Sequence, residues 1–125
     1  MAGSSAAYHE SLDVLKPETV DRHRAIVSLM EELEAVDWYD QRVDAAQDAE
    51  LRAILAHNRD EEKEHAAMVL EWLRRHDPQL DQQLRSYLFT EKPVLEVEEA
   101  ADGAAEESAQ DASLAIGSLR EEVRQ

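Results

Sequence analysis

Apolar residues recur at steps of three and four along two long stretches of this chain. Ile26, Leu29, Met30, Leu33 and Val36 form one series; Leu51, Ile54, Leu55, Met68, Val69 and Trp72 form the other. This is the period of an α-helix with one apolar face. It predicts a first helix from about Leu15 to Val43, with Pro17 and Glu18 in its first turn, where a proline and an acid both suit a helix start. A second helix is predicted from Asp48, a good N-cap, to His76. Asp77-Pro78 breaks it and restarts a short third helix (Leu80, Leu84, Tyr87, Leu88) that stops before Lys92-Pro93. Only residues 45–47 link the long helices, so they must fold back as an antiparallel hairpin. Residues 1–91 thus read as one helical domain. Residues 92–112 are mostly Ala, Glu and Asp and read as a flexible acidic linker with little to bury. The tail, residues 113–125 (SLAIGSLREEVRQ), closes the chain with a small apolar cluster.

The expected fold is all-α, but half a fold. Two helices cannot bury both apolar stripes, and fewer than about 100 ordered residues have a poor surface-to-volume ratio. A second copy is the simplest source of the missing helices. Dimerisation would turn two hairpins into a four-helix bundle.

Charge narrows the function. There are 29 acidic residues against 13 basic ones, a formal net charge of -16. That disfavours nucleic acid, whose affinity is carried by Lys and Arg, and favours cations. With no cysteine, disulfides, iron–sulfur ligation and thiol nucleophiles are excluded. No apolar run is long enough for a membrane, and the N-terminus lacks a signal-peptide pattern, so a cytoplasmic location is expected.

Residues 60–65 (DEEKEH) lie between apolar flanks on the second helix. Glu62 and His65, three apart, fall in line with Leu55, Ala66 and Val69, on the apolar side. Glu32 falls likewise among Leu29, Val36 and Tyr39 on the first helix. A carboxylate buried without a partner costs several kcal/mol, roughly, so Glu32, Glu62 and His65 are candidates for one shared partner. A metal ion suits two carboxylates and an imidazole. By spacing alone Glu62 and His65 also fit an exposed ion pair on a solvated face. Two further clusters share a helix face: Glu31, Glu34 and Trp38 on the first helix, and His57, Glu61 and Glu64 on the second. Each fits a loose cation site or an acidic surface. No HExxH motif, phosphate-binding glycine loop or serine triad pattern is present.

Di-iron carboxylate bundles use a Glu from each of two helices and a Glu-x-x-His from each of two others. This chain has one helix of each kind. It carries half a ligand set on half a bundle, and a two-fold axis between two chains would complete both.

In the stretches ETVDRHRAIVSLMEELEAVDWYDQRVDA, ILAHNRDEEKEHAAMVLEWLRR and SYLFTE the chain closely resembles the encapsulated ferritins, cargo of bacterial encapsulin shells. The resemblance implies a ferroxidase centre at a two-chain interface, with Glu32, Glu62 and His65 as ligands and Tyr39 close by. It implies an iron-uptake site at Glu31, Glu34 and Trp38, and an outer cation site, for Ca2+ or iron, at His57, Glu61 and Glu64. It further implies ring-shaped decamers built from dimers that oxidise Fe(II) and leave storage to the shell. Residues 113–120 resemble the family's shell-targeting peptide, with Leu114, Ile116 and Leu119 as its aliphatic anchors. The expected function is a ferroxidase delivering iron inside an encapsulin nanocompartment. Rivals are a non-catalytic divalent-metal-binding assembly, a metal-free helical assembly, and a rubrerythrin-like peroxidase, which the lack of cysteine disfavours.

Overall fold

The computed structural model describes the backbone of residues 6–123 and the side chains of residues 6–107, 109 and 110. Every regular element in that range is helical. A 3-10 turn, Leu12–Val14, precedes α1 (Pro17–Ala45), α2 (Ala49–Arg75), α3 (Pro78–Tyr87) and α4 (Val94–Val123). The chain divides near Leu80 into two compact units, the first containing the α1–α2 hairpin.

Local chemistry places most of the boundaries. Pro17 opens α1 at a position whose N–H has no helical partner in any case, so its missing donor costs nothing. Ser11 caps the preceding 3-10 turn, accepting from the Asp13 N–H. Asp48 caps α2 as expected, its Oδ2 accepting from the Leu51 N–H at 2.9 Å. The link between the helices is clamped from α2: Arg52 donates from Nε and Nη2 to the Ala46 carbonyl at 3.1 and 2.8 Å. At the far end of α2 the His76 ring stacks on Trp72, centroids 3.9 Å apart, and its Nδ1 lies 2.8 Å from the Trp72 carbonyl oxygen. Asp77 caps α3 through the Leu80 N–H at 3.0 Å.

α3 ends earlier than its apolar pattern suggests. The Leu88 N–H closes onto the Leu84 carbonyl at 2.9 Å, and Phe89 then adopts a left-handed conformation with φ 61°. Helices often stop on such a residue, usually a glycine. Phe89 takes the position without glycine's freedom, and its side chain is fully exposed.

The second difference is larger. Where composition predicts a structureless linker over residues 92–112, the backbone is helical from Val94 onward. The Pro93 carbonyl accepts from the Glu96 and Val97 N–H groups at 3.0 and 3.1 Å, starting the helix. Low hydrophobicity says that a segment cannot build a core. It does not say that the segment cannot be helical, and Ala and Glu are among the strongest helix formers. The side chains of Leu114, Ile116 and Leu119 lie outside the described residues.

Among those residues, only Ala66 and Leu73 are buried. Ile26, Met30 and Leu33 on α1 stay exposed at 48, 38 and 55%, and Leu51, Ile54 and Met68 on α2 are exposed as well. α1 packs on α2 along one side only, so a hairpin leaves apolar surface that water must cover. A lone hairpin of this kind has too little core to be stable by itself.

Candidate metal centre

Glu62 and His65 sit one turn apart on α2 and Glu32 reaches them from α1. His65 Nδ1 is 3.7 Å from Glu32 Oε2 and 3.6 Å from Glu62 Oε2. One ligand atom from each of the three residues lies within 4.8 Å of the others. No other group of three acidic, histidine or cysteine residues meets that condition among the described residues. The two carboxylates are about three-quarters covered, with 26 and 25% of each side chain exposed, while half of His65 faces out.

The electrostatics of the trio suit a cation. Glu32 holds its proton above the ordinary glutamate range. The largest cause is a hydrogen bond with the Glu62 carboxyl; burial and the negative charge of Glu62 push the same way, and His65 partly offsets them. Two carboxylates this close cannot both ionise without cost, and sharing a proton is one remedy. A divalent cation is the other, and two oxygens and a nitrogen make a donor set that iron accepts. The residues present therefore fit a metal ion.

A stability test follows from the direction of that shift. A carboxyl raised in the folded state favours folding below the ordinary glutamate value and loses that contribution as pH rises through its folded value. The metal-free protein should thus shed stability across the mildly acidic range on its way to neutral. Glu32→Gln should remove this loss, leaving a higher unfolding midpoint at pH 7 and a difference that shrinks below pH 4. Equal midpoints for the two proteins throughout that range would contradict the upward shift of Glu32.

The other expected residues are scattered along the same two helices. Glu31, Glu34 and Trp38 are all exposed on α1. On α2, His57 Nε2 meets Glu61 Oε1 at 2.9 Å, while Glu64, also exposed, forms no three-residue ligand group with them. Tyr39 is half-buried, with the Arg42 guanidinium 5.4 Å from its ring centre. Sequence reasoning passed over one residue: Arg59, which bridges the helices to Asp40 at 3.2 Å. Spacing within one helix carries no signal for a partner nineteen residues away.

Residues 7–91, the two long helices and α3, match the EncFtn-like family. The chain belongs to the EncFtn-like family. Its relatives agree over most of its length. It is 65% identical to an encapsulated ferritin-like protein of Rhodospirillum rubrum, across 98% of this chain and 94% of the relative. A ferritin-like protein of Thermotoga maritima is 54% identical across 83% of this chain and 91% of its own. An encapsulin nanocompartment cargo protein of Myxococcus xanthus matches a shorter stretch, 44% identical over 38% of this chain and 37% of its own. Among solved structures, a Nitrosomonas europaea protein is 66% identical and superposes with a TM-score of 0.68, covering 70% of this chain and 97% of that one. The EncFtn-like chain thus has an all-helical, ferritin-like fold. Among its described residues no helix is long and apolar enough to cross a membrane.

Proposed function

We propose that this protein is a ferroxidase, oxidising Fe(II) to Fe(III) at a di-iron centre shared between two chains, and that it works as cargo inside an encapsulin nanocompartment. The observation that carries the proposal is the Glu32, Glu62 and His65 cluster, half of a di-iron ligand set gathered on half of a four-helix bundle. In a dimer, two such clusters would face each other and supply four carboxylates and two imidazoles. A pair of Fe(II) ions bound there would supply one electron each, together reducing dioxygen to peroxide. Glu32 and Glu62 neutralise the charge of the metal substrate, and their oxygens favour the Fe(III) product. The proton that Glu32 favours must leave as metal binds, so metal affinity should fall on acidification. His65, the least covered of the three, contributes the nitrogen donor.

The cargo reading draws on the relatives. The Rhodospirillum rubrum relative is an encapsulated ferritin-like protein, and the Myxococcus xanthus relative is an encapsulin nanocompartment cargo protein. We assign residues 113–120 as the segment that docks this chain to a shell, and the cytoplasmic nanocompartment as its location. The exposed stripe of Ile26, Met30 and Leu33 suits coverage by a second copy, with such dimers assembling into a ring-shaped decamer.

The decisive experiment is an anaerobic Fe(II) titration of the full chain, followed by admission of air. Two equivalents of Fe(II) per dimer should bind and then oxidise rapidly. Binding without oxygen-dependent oxidation would leave only a metal-binding assembly and overturn the enzyme reading.

Assembly should respond to metal. Facing carboxylates repel until cations neutralise them. Fe(II) or Ca2+ should therefore move native mass distributions from monomers or dimers towards the ring. Distributions unchanged by either ion would disprove the link between the site and assembly.

Glu31, Glu34 and Trp38 are assigned to iron uptake, and His57, Glu61 and Glu64 to an outer cation site. Replacing Glu31 and Glu34 together with alanine should change the oxidation rate while leaving the stoichiometry of the centre intact. Trp38→Ala should speed iron access by removing a large rigid side chain from the path. Unchanged rates in both variants would reduce the cluster to surface charge.

A further inference from the structure

We propose that Arg59 is a positioning residue of the metal centre, setting the register of α2 on α1 that brings Glu32 opposite Glu62 and His65. The proposal rests on reading that trio as a metal centre. Arg59 Nη1 meets Asp40 Oδ1 on α1 at 3.2 Å, and its Nε meets Asp60 Oδ1 on α2 at the same distance. The guanidinium is thus held to its own helix by one carboxylate and to the neighbouring helix by another. Only 24% of the Arg59 side chain is exposed, against 53% for Asp40.

The short link and its Arg52 clamp fix the hairpin's end, but between that end and the centre the apolar packing that would hold the register is thin. Among the described residues the two that are buried, Ala66 and Leu73, both lie beyond His65 towards the C-terminal end of α2. Towards the interhelix link, Leu51 and Ile54 are about half exposed. Apolar contact is non-directional and tolerates sliding. A slip of one residue along a helix shifts it by about 1.5 Å and turns the next side chain by roughly 100°. A metal site tolerates about 0.5 Å. The Arg59–Asp40 contact is directional and crosses the helices on the link side of the trio, so the centre lies between this bridge and the small buried core. Arginine suits the task because it serves two carboxylates from separate nitrogens in a fixed plane, which a single ammonium does not.

The test uses Co(II) as the probe, titrated into the full-length protein, with visible absorption reporting the coordination and far-UV circular dichroism reporting helix content. Glu62→Ala serves as the reference without a site. Arg59→Ala and Asp40→Asn should each weaken Co(II) binding about 10-fold and alter its absorption bands at unchanged helix content, the loss typical of removing an outer support of a metal site. Their losses should not add in the double variant, because both remove one bridge. Arg59→Lys should recover only part of the affinity, and exchanging the pair (Asp40→Arg with Arg59→Asp) should recover more than either single change. If Arg59→Ala does not fold, Asp40→Asn, nearly the same size and on an exposed position, carries the measurement alone. Affinity and bands equal to those of the unmodified protein, or losses that add, would overturn the register role. Equal Co(II) binding by the unmodified protein and Glu62→Ala would remove the metal-centre reading itself, and this proposal with it.

Discussion

His65→Ala is expected to abolish nearly all oxygen-dependent Fe(II) oxidation, lowering the initial rate on the order of 100-fold or more. Loss of an outer support commonly costs about 10–100-fold in metal affinity or activity, and loss of a direct ligand should cost at least the upper end of that range. The helix should survive. His65 is half exposed, and alanine is the best helix former, so the substitution opens no cavity in α2. Glu62→Ala should behave alike, with one difference. Removing Glu62 also takes away the hydrogen bond and the negative charge that raise Glu32, so its metal-free form should unfold at a higher temperature than that of His65→Ala. Stopped-flow oxidation alongside circular dichroism measures both effects. Unimpaired oxidation by His65→Ala would exclude the trio as the centre.

The second large effect concerns location. Deleting residues 113–125 is expected to abolish co-purification with a co-expressed encapsulin shell and to leave Fe(II) oxidation by the free protein intact. Leu114, Ile116 and Leu119 are the aliphatic residues of that segment that suit apolar pockets on the shell's inner wall. Each contributes at most about 1.5–3 kcal/mol if fully buried. Losing three such anchors removes binding at ordinary concentrations. α4 changes how this segment is presented. A helix rises about 1.5 Å per residue, so the segment follows Pro93 along a helical backbone where composition predicts a flexible linker. Full loading of the truncated protein would refute the address, and loss of oxidation would refute the separation of docking from chemistry.

Much of this molecule was legible without coordinates because its strongest signals are local. The three-and-four periodicity, Asp48 and Asp77 as caps and Pro17 and Pro78 as helix starters act within a few residues of themselves. They locate α1, α2 and α3 to within two to four residues. The pairing of Glu62 with His65 is equally local, being one turn of one helix. α4 departs from the sequence expectation for a local reason too: residues 92–112 have little apolar surface to bury, but their alanines and glutamates favour a helix by backbone propensity.

What only the tertiary structure decided is everything that crosses from α1 to α2. The sequence lines up Glu32 with one apolar stripe and Glu62 with another, but it does not say which turn of α1 faces which turn of α2. The 3.7 Å approach of His65 to Glu32, the effect of Glu62 that raises Glu32, and the reach of Arg59 to Asp40 all depend on that register. Register is a property of the packed pair. A sliding apolar seam leaves it nearly degenerate, and a few directional contacts between side chains far apart in the chain select one alignment.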